Sequence, residues 1–355
     1  MKGLTSFTVA ILAVVIGMTN PVAAQSRQKL YVLHSLGHAL SIIDVATQKI
    51  IGTLDVGELP HGVAAPDSQE LLYVTIEGEN GMVVVDTQRD KVIKKYDFLG
   101  QRPNENDVTS DGRIVYLPIL GDGIYQVFDT KKETIVAEIP TDGFPHNVVI
   151  SPDDKFAYLS PMDRGIISIK TIEERGLPTS FNQKIYVVDM ATHKTIATID
   201  TGDAPRPIAI NPNGKYLYVN VDGLQGFLTL DLEKREVISR VEYSLTEREK
   251  ARPSRTHGLW VTPDGKQVWT ADVNHGLIFG FDATQNPPVQ IARVETNVPA
   301  YWLEGTPDGK TLYVTSAPGD VVSVIDIASR KVTSVIQLPK GSAPKRMLVL
   351  DVPVE

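Results

Sequence analysis

The 355-residue chain contains no cysteine. That excludes disulfide bonds, thiolate metal sites, c-type haem attachment, a lipidated N-terminal cysteine and any cysteine nucleophile. One long apolar run stands out, the 12 residues Phe7–Met18 (FTVAILAVVIGM). No Lys/Arg-rich cluster exists and the formal net charge is −8, so nucleic acid and other polyanions are not expected partners. Also missing are a GxGxxG turn after a strand, a Walker loop, a GxSxG elbow and an HExxH helix. The glycines of "GLQG" and "EGENG" are loop glycines with no helix behind them to hold phosphate, so no nucleotide cofactor is expected.

The apolar run follows Lys2 and precedes the small residues Val22-Ala23-Ala24, the pattern of an export signal over residues 1–24 with a mature start at Gln25. Twelve apolar residues are too few to span a bilayer, so an uncleaved anchor is the weaker reading. A periplasmic or secreted protein with no membrane span after cleavage is expected, held together by packing alone.

Repeats organise the rest. The triplets Leu30-Tyr31-Val32, Leu72-Tyr73-Val74, Val115-Tyr116-Leu117, Ala157-Tyr158-Leu159, Leu217-Tyr218-Val219, Val268-Trp269-Thr270 and Leu312-Tyr313-Val314 recur, with aromatic spacings of 42, 43, 42, 60, 51 and 44. A second β-rich run follows each and ends in Asp: Asp44, Asp86, Asp129, Asp189, Asp231, Asp282 and Asp326. Before six of the seven lies a turn such as "PDDK" at 152 or "PDGK" at 263. Four short strands in about 42 residues, seven times over, spell an all-β, seven-bladed β-propeller across 25–355. The chain starts on a Tyr-triplet strand, so the first blade lacks its innermost strand. The closing segment "APKRMLVLDV" supplies one, which would seal the ring and remove its open edges.

"LYVTI" at 72, "LYVTS" at 312 and "SVIDIASRKVTSVIQLPKGSAPK" resemble the YVTN-type, YncE-like β-propellers of exported bacterial proteins, over essentially the whole mature chain. The resemblance implies the fold; such propellers host binding modules, electron-transfer subunits and some enzymes, so it leaves function open. Quinone-dependent propeller enzymes generally resemble larger, eight-bladed chains.

With strands named A to D from the axis outward, the D-to-A connections and B–C loops share one face. Two insertions fall there: 161–183 in the B–C loop of blade 4, read as a lid, an oligomer contact or a loose excursion, and 243–255 between blades 5 and 6. The residue opening each A strand then reads, around the ring, His61, Asn104, His146, Arg206, His257, Tyr301 and Lys345. Three of the seven histidines occupy this position on alternating blades. Added from the same face are His34 and His38 of "HSLGH", Arg346, and Asp272 and His275 of "DVNH", assigned to blade 7. His193 is expected to be a solvated turn residue. Trp260 and Trp302 are expected in the inter-blade core, and the repeated Asp residues as turn caps.

Several readings follow. Solvated polar residues commonly line such mouths without function. As ligand-binding residues, Asn104, Arg206, Lys345, Arg346, His34 and Asp272 would hold a small, anionic molecule. As metal ligands, His61, His146 and His257 would suit Zn²⁺, Cu²⁺ or Mn²⁺ with an open position. A metal-assisted lyase, hydrolase or lactonase would add Tyr301 or His275 as the catalytic acid or base. The third class is an interaction partner of a periplasmic redox or cell-surface system.

Overall fold

The computed structural model describes residues 26–97, 99–162, 183–252 and 254–353. The expected signal segment and most of the 161–183 insertion lie outside the described residues. Among the described residues, 28 strands form seven four-stranded antiparallel sheets, the seven-bladed propeller read from the repeats. The innermost strands are β4 (Pro60–Ala64), β8 (Asp107–Val108), β12 (Phe144–Ile150), β16 (Pro205–Ile210), β20 (Thr256–Val261), β24 (Leu303–Gly305) and β28 (Met347–Pro353), for blades 2 to 7 and then blade 1. In blade 1, β28 pairs with β1 (Ser26–Leu33) in a register running from Ser26 opposite Pro353 to Val32 opposite Met347. The last strand of the chain thus completes the first blade.

The core lies between blades rather than within them. One cluster joins Tyr31 and Ile42 of blade 1, Leu72 and Val74 of blade 2, and Leu350 and Val352 of β28. Equivalent clusters seal the next interfaces, such as Tyr116 with Val148 and Leu159. The repeated tyrosine explains part of this seal. Tyr31 donates to the Thr87 carbonyl at 3.2 Å, Tyr73 to the Gly112 carbonyl at 3.1 Å, and Tyr116 pairs with His193 at 2.8 Å, each reaching the next blade. His193 is therefore not simply a solvated turn residue: its half-buried ring serves that contact, while its backbone holds the left-handed turn (φ 54°). The Asp ending each third strand caps its turn, as in Thr47 N–H to Asp44 at 2.8 Å and Lys132 N–H to Asp129 at 3.0 Å.

Two features shape the axial mouth. The pairing of A and B strands slips at the ring position in blades 2, 4, 5 and 6, between Pro60 and Val63, Pro145 and Asn147, Pro205 and Ile208, and His257 and Leu259. Such irregularities re-aim one side chain out of the ladder. In blade 3 the A segment leaves its own sheet: Glu105 N–H donates to the His146 carbonyl at 3.2 Å, so β8 shrinks to two residues. Asp272 and His275 belong to blade 6, not blade 7, because Asp272 ends β21 (Gln267–Asp272), the B strand that pairs with β20, and His275 follows it. The 243–255 insertion carries a short helix, α1 (Glu247–Lys250), started by a capping box between Thr246 and Glu249.

If β28 closes the ring through its buried face, Leu350→Ala costs about 2–5 kcal/mol in a denaturant melt. Ile51→Ala, on an exposed outer strand, stays within about 0.5 kcal/mol of the parent. Equal effects would contradict closure by packing.

Candidate functional site at the axial mouth

All seven ring residues sit at or just before the start of their innermost strands, but they do not behave alike. His146 and His257 are buried and meet edge to face, ring centroids 6.1 Å apart. His257 lies 4.1 Å from the Tyr301 ring, tilted by 30°. Its Nδ1 accepts the Gly258 N–H at 3.0 Å, so in the neutral ring the proton sits on Nε2. Gly258 is required there: φ is +66°, and a Cβ would stand 2.8 Å from the Tyr301 carbonyl. His61 instead pairs through Nδ1 with Glu77 at 2.8 Å, and Glu77 also binds Arg102. Arg206 turns to Asp222 at 3.3 Å and to the Met162 sulfur at 3.1 Å. Lys345 and Arg255 flank Tyr301, at 6.0 and 5.7 Å from its ring centroid. Arg255 lies in the insertion and was not singled out by the repeat alignment.

Below this rim lies Arg346, next after Lys345. It is 2% exposed, stacks 3.7 Å over the Trp302 ring, and its Nη2 donates to Glu105 Oε2 at 2.6 Å. The partner comes from blade 3, so the pair bridges past blade 2, whose equivalent residue is Gly62. A Cβ on Gly62 would meet the Asn104 carbonyl at 2.5 Å. Arg346 Nε and Nη1 are buried with no hydrogen-bond partner among the described residues, as are Asn104 Oδ1 and His146 Nδ1. A cavity of about 260 Å³ continues down the axis, lined by Glu105, Asn106, Asp107, Asn147, Trp260 and Trp302. Both tryptophans pack into inter-blade clusters, and Trp302 additionally forms the platform for Arg346.

The electrostatics follow from burial and this one guanidinium. Burial holds the His146 and His257 pKa values well below the usual imidazole range, and Arg346 adds to the effect on both. Burial also lowers His61, with Glu77 opposing and Arg346 and Lys345 assisting. The mouth therefore presents neutral imidazoles beside fixed cations. Deeper acids go the other way: burial raises Glu105 against the pull of Arg346, lifts Asp107 to about 7 and Glu304 to about 8. The alignment missed all three. For Asp107 and Glu304 the available signal was an acidic residue at an A-strand register that is apolar in the other five blades; Glu105 stands at a register with no such pattern.

The remaining candidates lie apart from the ring. His34 is buried, its Nε2 bonded to Ser41 Oγ at 2.8 Å. Its neighbour His38 contributes its carbonyl to the N–H groups of Val56 and Gly57. His275 and Asp272 pair with each other at 2.8 Å, and no hydrogen bond or ring contact joins them to Tyr301 among the described residues. No group of three or more His, Asp or Glu side chains is placed to hold one metal ion among the described residues, and His61, His146 and His257 do not form such a set.

The sequence model of a family described as SMP-30/Gluconolactonase/LRE-like region matches residues 19–318. The antigen Lp49 of Leptospira interrogans is 24% identical over 271 residues, 72% of this chain and 55% of that protein. Protein NirF of Pseudomonas aeruginosa is 25% identical over 323 residues, 85% of this chain and 76% of NirF. YncE of Salmonella typhimurium is 23% identical over 188 residues, 52% of this chain and 48% of YncE. The chain thus spans about half the length of Lp49 and YncE. A solved chain of Kuenenia stuttgartiensis hydrazine synthase shares the fold at TM-score 0.71 and 19% identity, covering 89% of this chain and 99% of that one. No helix among the described residues is long and apolar enough to cross a membrane.

The shifted groups set opposing pH dependences. The three imidazoles, depressed on folding, contribute stability that is present above the ordinary His pKa of 6.5 and is lost as pH falls below it. Glu304 is raised, so its contribution is present at low pH and is lost as pH climbs from the ordinary value of 4.5 through about 8. In thermal melts, Glu304→Gln should therefore gain on the parent progressively between about pH 4.5 and pH 8. A Tm difference independent of pH would contradict the buried, protonated carboxyl.

Proposed function

Because the chain belongs to the SMP-30/gluconolactonase/LRE-like family, we propose that it is an exported β-propeller binding a small organic anion at the axial mouth, with Arg346 as its buried anchor. Residues 1–24 serve in this reading as a cleaved export signal.

The observation that carries the proposal is the pair of unpartnered donors on Arg346. A buried polar group left unpaired costs about 1–3 kcal/mol, more when charged. Glu105 occupies only one edge of the guanidinium. The two donors lie on opposite sides of the guanidinium, and a carboxylate can accept from either Nε or Nη1 with its second oxygen on the remaining Nη2 proton. Lys345 and Arg255 add positive field above it, and the neutral imidazoles supply hydrogen bonds to hydroxyls without adding charge. Tyr301 and His257 present ring faces for a carbon skeleton. A sugar acid combines these chemistries, and the family description includes gluconolactonase.

The runner-up is the metal-assisted lyase, hydrolase or lactonase, with metal held by His61, His146 and His257 and Tyr301 or His275 as acid or base. The geometry favours the anion site over it, since the described imidazoles do not form one ligand set.

Binding is tested with D-gluconate against neutral D-glucose in calorimetry and thermal melts on the full chain. Gluconate should raise Tm in a concentration-dependent way and glucose should not. Removing Arg346 alone would strand Glu105, so the informative variant is the double Arg346→Met, Glu105→Gln, which should lose gluconate binding while folding. Arg346→Lys, which keeps charge but not the fork, should weaken it about tenfold. Gluconate binding that survives the double variant would contradict the assignment.

A further inference from the structure

Beneath the inserted connection between blades 5 and 6 lies a second polar pocket of about 390 Å³, lined by Thr246, Arg248, Glu249, Arg252, His275 and Glu295 among others. It shares no lining residue with the axial cavity. The insertion builds it. Thr246 and Glu249 fix α1 through their capping box, and Ser254 turns its hydroxyl onto Asp272 Oδ1.

The His275 side chain is only 4% exposed, and its Nδ1 faces Asp272 Oδ2 at 2.8 Å. Asp272 is wholly buried and accepts from both Ser254 and His275. A carboxylate in this position fixes the tautomer: the neutral ring carries its proton on Nδ1 and leaves a lone pair on Nε2. That Nε2 is buried and has no partner among the described residues. The pocket's acids are already engaged, because Arg293 pairs with Glu249 at 2.6 Å and Glu295 at 3.4 Å. Arg248 and Arg252 form no ion pair among the described residues, so the lining retains positive charge.

We propose that this pocket is a second ligand site, taking a small hydroxycarboxylate. Arg248 and Arg252 pair with carboxylate oxygens, and a ligand hydroxyl donates to His275 Nε2. Asp272 is the positioning residue that keeps Nε2 an acceptor, and Ser254 ties the inserted loop to it. The proposal is independent of the axial site: it rests on one buried, oriented acceptor in the same pocket lining as two cations that form no ion pair among the described residues.

The test uses L-tartrate and succinate, matched in charge and chain length and differing in hydroxyls, on the full chain by calorimetry. Tartrate should bind about tenfold more tightly than succinate, the fold-change that one net hydrogen bond supplies. His275→Phe, checked for an unchanged melt, should bring the two acids within about twofold, while Arg252→Gln weakens both and keeps their ratio. In the unmodified protein, tartrate should move the His275 ring ¹⁵N resonances, which needs no variant to fold. Equal binding of the two acids, no binding of either, a preference that survives His275→Phe, or tartrate shifts at His146 with none at His275 would each overturn the proposal.

Discussion

An open ring of sheets has two raw edges, and here one strand removes both. Seven blades give a closed propeller only if β28 returns to pair with β1, so the end of the chain is bound to its beginning. The same strand is preceded by Lys345 and Arg346, and closure therefore carries a guanidinium to the axis. Its partner Glu105 reaches it because the blade 3 segment leaves its own sheet and because Gly62, with no Cβ, lets the backbone of Asn104 and Asn106 pack against it. The position of the mouth's central charge and the integrity of the ring depend on one pairing.

A buried ion pair of this kind adds little net stability over apolar residues of the same volume. Arg346 is costlier still, with two donors that have no partner among the described residues. The surrounding groups compound that cost, since burial holds His146 and His257 well below the usual imidazole range and pushes the Glu304 carboxyl up to about 8. In the proposed reading, these costs are what a binding surface at the mouth requires. Around them the scaffold is conventional, with apolar clusters at blade interfaces, tyrosines reaching the next blade and Asp-capped turns. The rigid part positions the strained part.

Much of the fold was legible because repetition is a redundant signal. Seven aromatic triplets, seven terminal Asp residues and six turns state the same architecture, and the absent turn places the closing strand. The ring position was legible for the same reason, since one register repeated seven times brings His61, His146 and His257 to one mouth. What each does there was not legible. Register does not tell that Arg206 turns to Asp222 while Arg346 turns inward, because rotamer choice depends on neighbours from other blades. Glu105, the partner of Arg346, lies 241 residues away in sequence, and Asp107 and Glu304 sit where the repeat is mostly apolar. Asp272 and His275 were visible as polar loop residues, but their pairing under the inserted connection needs Ser254, which no repeat predicts.

The most direct measurement is anomalous diffraction from crystals of the protein soaked in bromoacetate. The carboxylate should lie within hydrogen-bond distance of Arg346 Nε or Nη1, with bromine density directed into the mouth beside His257 and Tyr301. An ordered water alone on those two donors, with bromine elsewhere or nowhere, would contradict an anion anchor and leave Arg346 as a hydrated structural residue.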